Sequence, residues 1–273
     1  MKKTSTYFFA ALIIIAAISA AFAAEGYKII KSRKIPVAEQ LSIDNLGNVY
    51  TLGANILTKY NPGLDTSFSY TDKSQGKLGF VDTSNPLKLL LLYPNYGRIA
   101  ILDNRLSLTT TVNLRDIGVL QPLLVCNSYD NAIWVYDRQD LQLKRIDPNL
   151  QITNQSGNIG QITHKDLAPV YLMAYNNWVF MIDTISGILQ FDMYGTYYKT
   201  IPVHHIKSMQ VVENMLLYLQ HNTDSVKLYS YNIKNAQEQS ILLPDYSNKI
   251  KEARIFAQKL LLLREENIDL YSY

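Results

Sequence analysis

Four histidines carry the most obvious chemical potential in this chain: His164, His204, His205 and His221. Imidazole nitrogens bind divalent first-row metals, and a neighbouring carboxylate such as Asp224 completes such a site. No His-x-x-x-His or comparable ligand spacing connects the four. One bound divalent ion is therefore an alternative to the ordinary reading, polar side chains in polar loops. Asp44, Asp82, Asp137 and Asp183 offer a second arrangement, carboxylates from several segments converging on a metal that activates water for hydrolysis. Each stands at the end of an apolar run, where a turn-forming Asp has a purely conformational explanation. Cys126 follows Leu123-Leu124-Val125 with no His or Lys beside it, the setting of a core thiol. There is no Gly-x-Ser-x-Gly elbow, and Gly157-Asn158-Ile159-Gly160 lacks the Gly-Lys-Ser/Thr of a phosphate loop and reads as a turn. No catalytic residue is assigned.

Tyrosine-bearing loops are the better candidates for binding. Tyr96-Gly97-Arg98, Tyr129-Asp130 and Asp245-Tyr246-Ser247-Asn248 combine Tyr, Arg, Asn and Ser. Tyr and Arg are enriched at protein contacts, so Tyr96, Arg98, Tyr129 and Tyr246 are the expected contact residues. The chain holds 20 Tyr, and general Tyr richness is the plainer account. Trp134 and Trp178 read as equivalent second-strand aromatics that pack neighbouring repeats.

These residues sit on a chain of 273 residues, 48% hydrophobic and 18% charged, with one Cys. That composition excludes a disordered, collagenous or disulfide-stapled protein. Residues 1–23 read as a signal peptide: Lys2 and Lys3, an apolar run from Tyr7 to Ile18, and Ala21-Phe22-Ala23 before the cut. The apolar run is short for a spanning segment, which needs about 20 residues, so an uncleaved anchor is the lesser reading. No Cys stands near the cut, which excludes a lipoprotein. Removing the leader leaves 24 basic against 23 acidic residues, a nearly neutral mature chain. Nucleic-acid binders carry a basic stripe, and none is present.

A repeated signal organises residues 24–273, which read as a single domain. An apolar residue, then Asp or Asn, then a turn recurs at Tyr60-Asn61, Leu102-Asp103, Ile146-Asp147, Phe191-Asp192 and Tyr231-Asn232, with spacings of 42, 44, 45 and 40 residues. Three short apolar runs precede each turn, as in Pro122 to Cys126, Ile133 to Asp137 and Gln142 to Ile146. A more polar fourth run follows, as in Ser107 to Leu114. Four short strands per repeat of about 40 residues is the signature of a β-propeller blade. Six copies predict an all-β, six-bladed propeller with antiparallel blades. The last copy, Glu252 to Phe256, Lys259 to Leu263 and Ile268 to Tyr273, lacks a fourth strand. The spare run Tyr27 to Pro36, with its edge-suited Lys and Arg, is expected to supply it. Ile250 to Arg264 also fits helical spacing, and a β-sandwich also has many short strands.

Asp44-Asn45-Leu46-Gly47-Asn48-Val49-Tyr50 is close to the Asp-x-x-Gly-Asn-apolar-Tyr pattern of NHL-type blades. On that motif and the repeat, the chain resembles the TolB-like and NHL-type propellers exported to the Gram-negative periplasm. The resemblance implies the fold class alone. A neutral ring with no catalytic cluster and mixed polar-aromatic loops reads as a monomeric periplasmic scaffold without cofactor, binding an envelope protein complex, a peptide or a glycan. No membrane segment is expected after leader removal. Propellers also host lactonases, so the alternative is a metal-dependent, lactonase-like hydrolase.

Overall fold

The structure, a computed structural model, describes residues 26–223, 225–244 and 249–273. The expected signal peptide, Asp224 and Tyr246 lie outside the described residues.

Six four-stranded antiparallel sheets make up the fold, a six-bladed β-propeller. Blade 1 comprises β2 (Gln40–Ile43), β3 (Val49–Gly53), β4 (Ile56–Tyr60) and β5 (Ser67–Tyr70). Blade 2 comprises β6 (Phe80–Asp82), β7 (Leu89–Tyr93), β8 (Arg98–Leu102) and β9 (Leu108–Asn113). Blade 3 comprises β10 (Pro122–Asn127), β11 (Ile133–Asp137), β12 (Gln142–Ile146) and β13 (Ile152–Gln155). Blade 4 comprises β14 (Pro169–Tyr175), β15 (Trp178–Asp183), β16 (Gly187–Asp192) and β17 (Tyr197–Ile201). Blade 5 comprises β18 (Met209–Val212), β19 (Met215–His221), β20 (Val226–Asn232) and β21 (Glu238–Ile241). Blade 6 joins β22 (Glu252–Phe256), β23 (Lys259–Leu263) and β24 (Asn267–Ser272) to β1 (Lys28–Lys34), which pairs antiparallel with β24. The spare N-terminal strand is thus used as expected. The helical spacing at 250–265 is overridden by two paired strands, because Leu260 to Leu263 are all buried and no helix face is left for solvent.

Side-chain placement follows the pattern of the runs. The second strands β7 and β11 are buried along their whole length, so their residues need not alternate. The fourth strands β5, β9 and β21 are largely exposed and correspondingly polar. The turn between third and fourth strands has one recurring chemistry. The carboxylate of Asp103 accepts from the N–H of Arg105 and Ser107, Asp147 from Asn149 and Gln151, and Asp192 from Tyr194 and Thr196. Three residues past each Asp the backbone is left-handed, at Leu106, Leu150 and Gly195. The Asp thus holds a backbone conformation that Leu would not choose alone.

The chain forms two compact units: residues 26–36 with Met209–Tyr273, and Val37–Ser208. In the larger unit, Leu90, Leu92, Val125, Trp134, Val135, Val179 and Phe191 share one core across blades 2, 3 and 4. In the smaller, Leu217, Leu228, Ile250, Leu260 and Leu262 do the same for blades 5 and 6.

Two details depart from the sequence-based expectation. Residues 157–160 are not only a turn: Asn158 caps the N–H of Gln161 and opens a single helical turn, α1 (Ile159–Thr163). Trp134 and Trp178 are not equivalent. Counting back from Asp137 and Asp183 aligns Trp134 with Phe180, while Trp178 stands at the strand's entry.

Candidate binding surface on blades 1 to 4

An antiparallel blade has two ends. Turns from first to second and from third to fourth strand lie at one; turns from second to third lie at the other, with the segments that enter the next blade. In the larger unit, the first of these ends holds a cluster of polar side chains that links successive blades.

Neighbouring blades are fastened there by residues one repeat apart. Thr83 Oγ1 donates to Ser42 Oγ at 2.9 Å, linking blades 2 and 1. Asp82 Oδ2 accepts from the Asn127 backbone N–H at 2.6 Å and from Asn127 Nδ2 at 2.9 Å, linking blades 2 and 3. Asn127 Nδ2 also donates to Lys88 O at 3.0 Å, and Lys88 Nζ donates to Asn131 O at 2.6 Å. Lys59 Nζ reaches Asn104 O at 2.7 Å. Beside them Arg145 pairs with Asp130 and donates to Thr153 Oγ1 at 2.7 Å.

The electrostatics of this cluster follow from burial. Desolvation raises the Asp82 carboxyl above its ordinary range, against the lowering effect of N–H donors from Asn127 and Ser84. The Cys126 thiol is pushed well up by burial and by the charge of Asp82, so it is an inert thiol rather than a thiolate. Burial lowers the Lys88 ammonium, opposed by Asp130 and Asp82. Asn127 Oδ1 is buried without a hydrogen-bond partner. A raised carboxyl, a lowered ammonium and an orphaned amide oxygen within two strands form a concentrated polar cluster. No nucleophile is activated in it.

Around this cluster large apolar side chains stand in solvent. The first-to-second turns of three successive blades present Leu46 (61% exposed), Leu87 (70%) and Tyr129 (59%). In blade 4 the half-buried Trp178 continues the series, its ring tilted against exposed Tyr198 at 5.0 Å. The polar groups beneath are turned inward on one another, while the apolar ones face out.

The sequence-predicted residues are distributed unevenly over this geometry. Tyr129 lies on the surface just described. Tyr96 and Arg98 lie at the opposite end of blade 2, in its second-to-third turn. The Tyr96 ring covers Gly76, and Arg98 Nη1 donates to Gln75 Oε1 at 3.3 Å. Tyr96 and Arg98 are therefore not brought together with Tyr129.

The histidines are engaged separately. His164 ends α1 in a left-handed conformation. His204 and His205 lie between β17 and β18 with ring centroids 6.4 Å apart. His221 closes β19, and its Nε2 lies 2.9 Å from Ile250 O. Among the described residues no three His, Cys, Asp or Glu side chains group so as to hold a metal ion. The four aspartates do not converge. Asp44 caps its own turn and accepts from Tyr50 OH at 2.9 Å, at the same end as Asp82. Asp137 and Asp183 sit at the other end, where each accepts N–H groups from the segment entering its own blade.

Ser42, Leu46, Leu87, Lys88 and Asn127 were not singled out in the sequence. One signal locates the fastened pairs: Asp82 and Asn127, or Lys88 and Asn131, are separated by about one repeat, so equivalent strand ends become neighbours.

No family model and no curated protein matches the chain. The fold is similar to many solved propellers. The WD40 domain of Pan2 from Neurospora crassa is 9% identical with a TM-score of 0.63, over 90% of this chain and 95% of that one. Virginiamycin B lyase from Staphylococcus aureus is 11% identical with a TM-score of 0.61, over 91% and 100%. YCF48, solved bound to the D1 peptide, is 10% identical with a TM-score of 0.53, over 91% and 97%. These likenesses establish the propeller fold, which hosts binding domains and enzymes alike.

Proposed function

We propose that the chain is a non-catalytic binding propeller, exported to the periplasm, that seats an envelope protein or peptide on the first-to-second turns of blades 1 to 3. One observation carries this reading. Leu46, Leu87 and Tyr129 stand exposed at equivalent turns of consecutive blades, above a polar layer whose hydrogen bonds run inward. Burying a large apolar side chain is worth about 1.5–3 kcal/mol, and three in a row forgo it in the free protein. Aromatic and aliphatic anchors of this kind carry most of the energy at protein interfaces. The peptide-bound YCF48 structure supplies a precedent on the same fold. Export rests on Lys2, Lys3, the apolar run and Ala21-Phe22-Ala23.

The test is in-cell crosslinking of the tagged, exported chain, followed by purification with and without a chelator. A stoichiometric partner that survives chelation and is lost from a Leu46→Ser, Leu87→Ser, Tyr129→Ser variant is the expected result. A partner retained by that variant, or a partnerless chain carrying a divalent ion, overturns the reading.

A further inference from the structure

We propose that the second-to-third turn end of blade 2 is a binding site for an acidic oligosaccharide, a sugar chain bearing carboxylate or phosphate groups. The site lies at the opposite blade end from Leu87 and is independent of the protein seat proposed there.

Three segments meet at this turn: residues 72–77, residues 94–98, and the segment leaving β9, residues 113–118. Arg98 Nη1 donates to Gln75 Oε1 at 3.3 Å, and Arg115 Nη2 donates to Asn95 O at 3.0 Å. Both acceptors are neutral, and a guanidinium has five N–H donors, so most of each fork stays open. Lys73 and Lys77 flank Gln75 in sequence. All four cations are exposed, and among the described residues none of them forms an ion pair. The carboxylates on these segments are Asp72 and the exposed Asp116. Asp72 Oδ1 is occupied by Ser74, accepting from its N–H at 2.9 Å and from its Oγ at 2.6 Å. Four cations against two carboxylates leave the turn positively charged.

An aromatic ring stands among these cations. Tyr96 is 49% exposed, and its ring lies over Gly76, where an added Cβ would come within 2.8 Å of it. Arg115 lies over Gly97 in the same way, with an added Cβ 2.9 Å from its Nε. Two glycines at positive φ thus make room for the ring and the guanidinium and set both in place before a ligand arrives.

These groups match an acidic sugar more closely than an acidic peptide. The planar fork of Arg takes a carboxylate or phosphate through paired hydrogen bonds. The electron-rich face of a Tyr ring takes the C–H groups of a sugar ring. The exposed Asn95 amide offers donor and acceptor to hydroxyls. A peptide adding through its main chain needs free backbone groups, and those of the turn are used. Gly97 N–H donates to Pro94 O at 3.1 Å, Leu114 N–H to Gly97 O at 2.8 Å, and Gly79 N–H to Leu92 O at 2.9 Å.

The experiment is titration calorimetry of the full chain with trigalacturonate, phosphorylated maltotriose, neutral maltotriose and triglutamate, at low and high salt. The expected result is binding of an acidic sugar, weakened by salt, with neutral maltotriose and triglutamate bound more weakly. Which acidic sugar binds tells carboxylate from phosphate recognition. Arg98→Gln and Arg115→Gln, both at exposed side chains, each lower the affinity about fivefold. Tyr96→Ser lowers it about threefold. Arg105→Gln, at an exposed cation on the other end of blade 2, leaves it unchanged. Binding of neither acidic sugar, neutral maltotriose or triglutamate bound as tightly, or Arg98 and Arg115 variants that bind like the parent overturns the proposal.

Discussion

Replacing Lys144 by Met tests how blade 3 holds together. Asp137 is fully buried and accepts four hydrogen bonds: from the N–H groups of Leu120, Gln121 and Gln139, each at 3.0 Å, and from Lys144 Nζ at 2.8 Å. Lys144 Nζ also donates to Gly118 O at 2.9 Å and to Asp140. Lys144→Met keeps the aliphatic stem and removes the charge, leaving a buried carboxylate. Breaking such a pair costs about 3–5 kcal/mol. Three amide donors still serve Asp137, and the exposed Asp140 rehydrates at little cost, which places the loss near the lower end, about 3 kcal/mol.

The pH dependence carries a definite sign. Burial alone would raise the Asp137 carboxyl, yet the Lys144 and backbone donors hold it below its ordinary range. Burial likewise opposes the Lys144 charge, and its hydrogen bonds and the two carboxylates raise it overall. The stability from Asp137 is therefore present above the unfolded carboxylate range and lost as pH falls through the folded value. That from Lys144 is present below the unfolded lysine range and lost as pH rises through the folded value. Urea unfolding of parent and variant is expected to show a constant difference near neutral pH that shrinks in acid. A Lys144→Met loss below about 1 kcal/mol, or one unchanged in acid, refutes the reasoning.

Two further outcomes follow from the same geometry. Burial raises Asp82 above the ordinary carboxylate range, so ionising it lowers stability as pH rises through the folded value. Asp82→Asn removes that fall, and urea midpoints across the weak-acid range become flatter; a profile parallel to the parent's contradicts this. Gly187 has φ +106°, and an added Cβ would lie 2.5 Å from Ile201 O. Gly187→Ala is expected to cost roughly 2–4 kcal/mol, read as a lowered denaturation midpoint, and a neutral substitution refutes the strain.

Most of the fold was legible because its signals are local. Asp103, Asp147 and Asp192 advertise their turns, since an Asx side chain can hold its own backbone two and four residues on. The runs Leu89–Tyr93 and Ile133–Tyr136 are apolar throughout because neighbouring blades cover both faces. The basic β1 reads as an edge and is one. A single helical turn at Ile159–Thr163 is too short to show a period. Trp134 and Trp178 look alike in sequence but occupy different strand positions, because strand entry points are fixed by pairing rather than by residue type.

The candidate surface was less legible. Tyr96 and Tyr129 have similar local sequences but lie at opposite blade ends, a difference decided by counting turns. The pairing of Asp82 with Asn127 spans 45 residues and appears only when strand ends are superposed by the repeat. Exposure of Leu46 and Leu87 is a tertiary property that hydropathy alone does not give.

The central claim is tested most directly by placing a photo-crosslinking amino acid at Leu87, Tyr129 and Tyr96 in turn and irradiating living cells. The account predicts the same discrete protein adduct from positions 87 and 129, and none from position 96 at the other end of blade 2. An adduct from position 96 alone, or from none of the three, would contradict it.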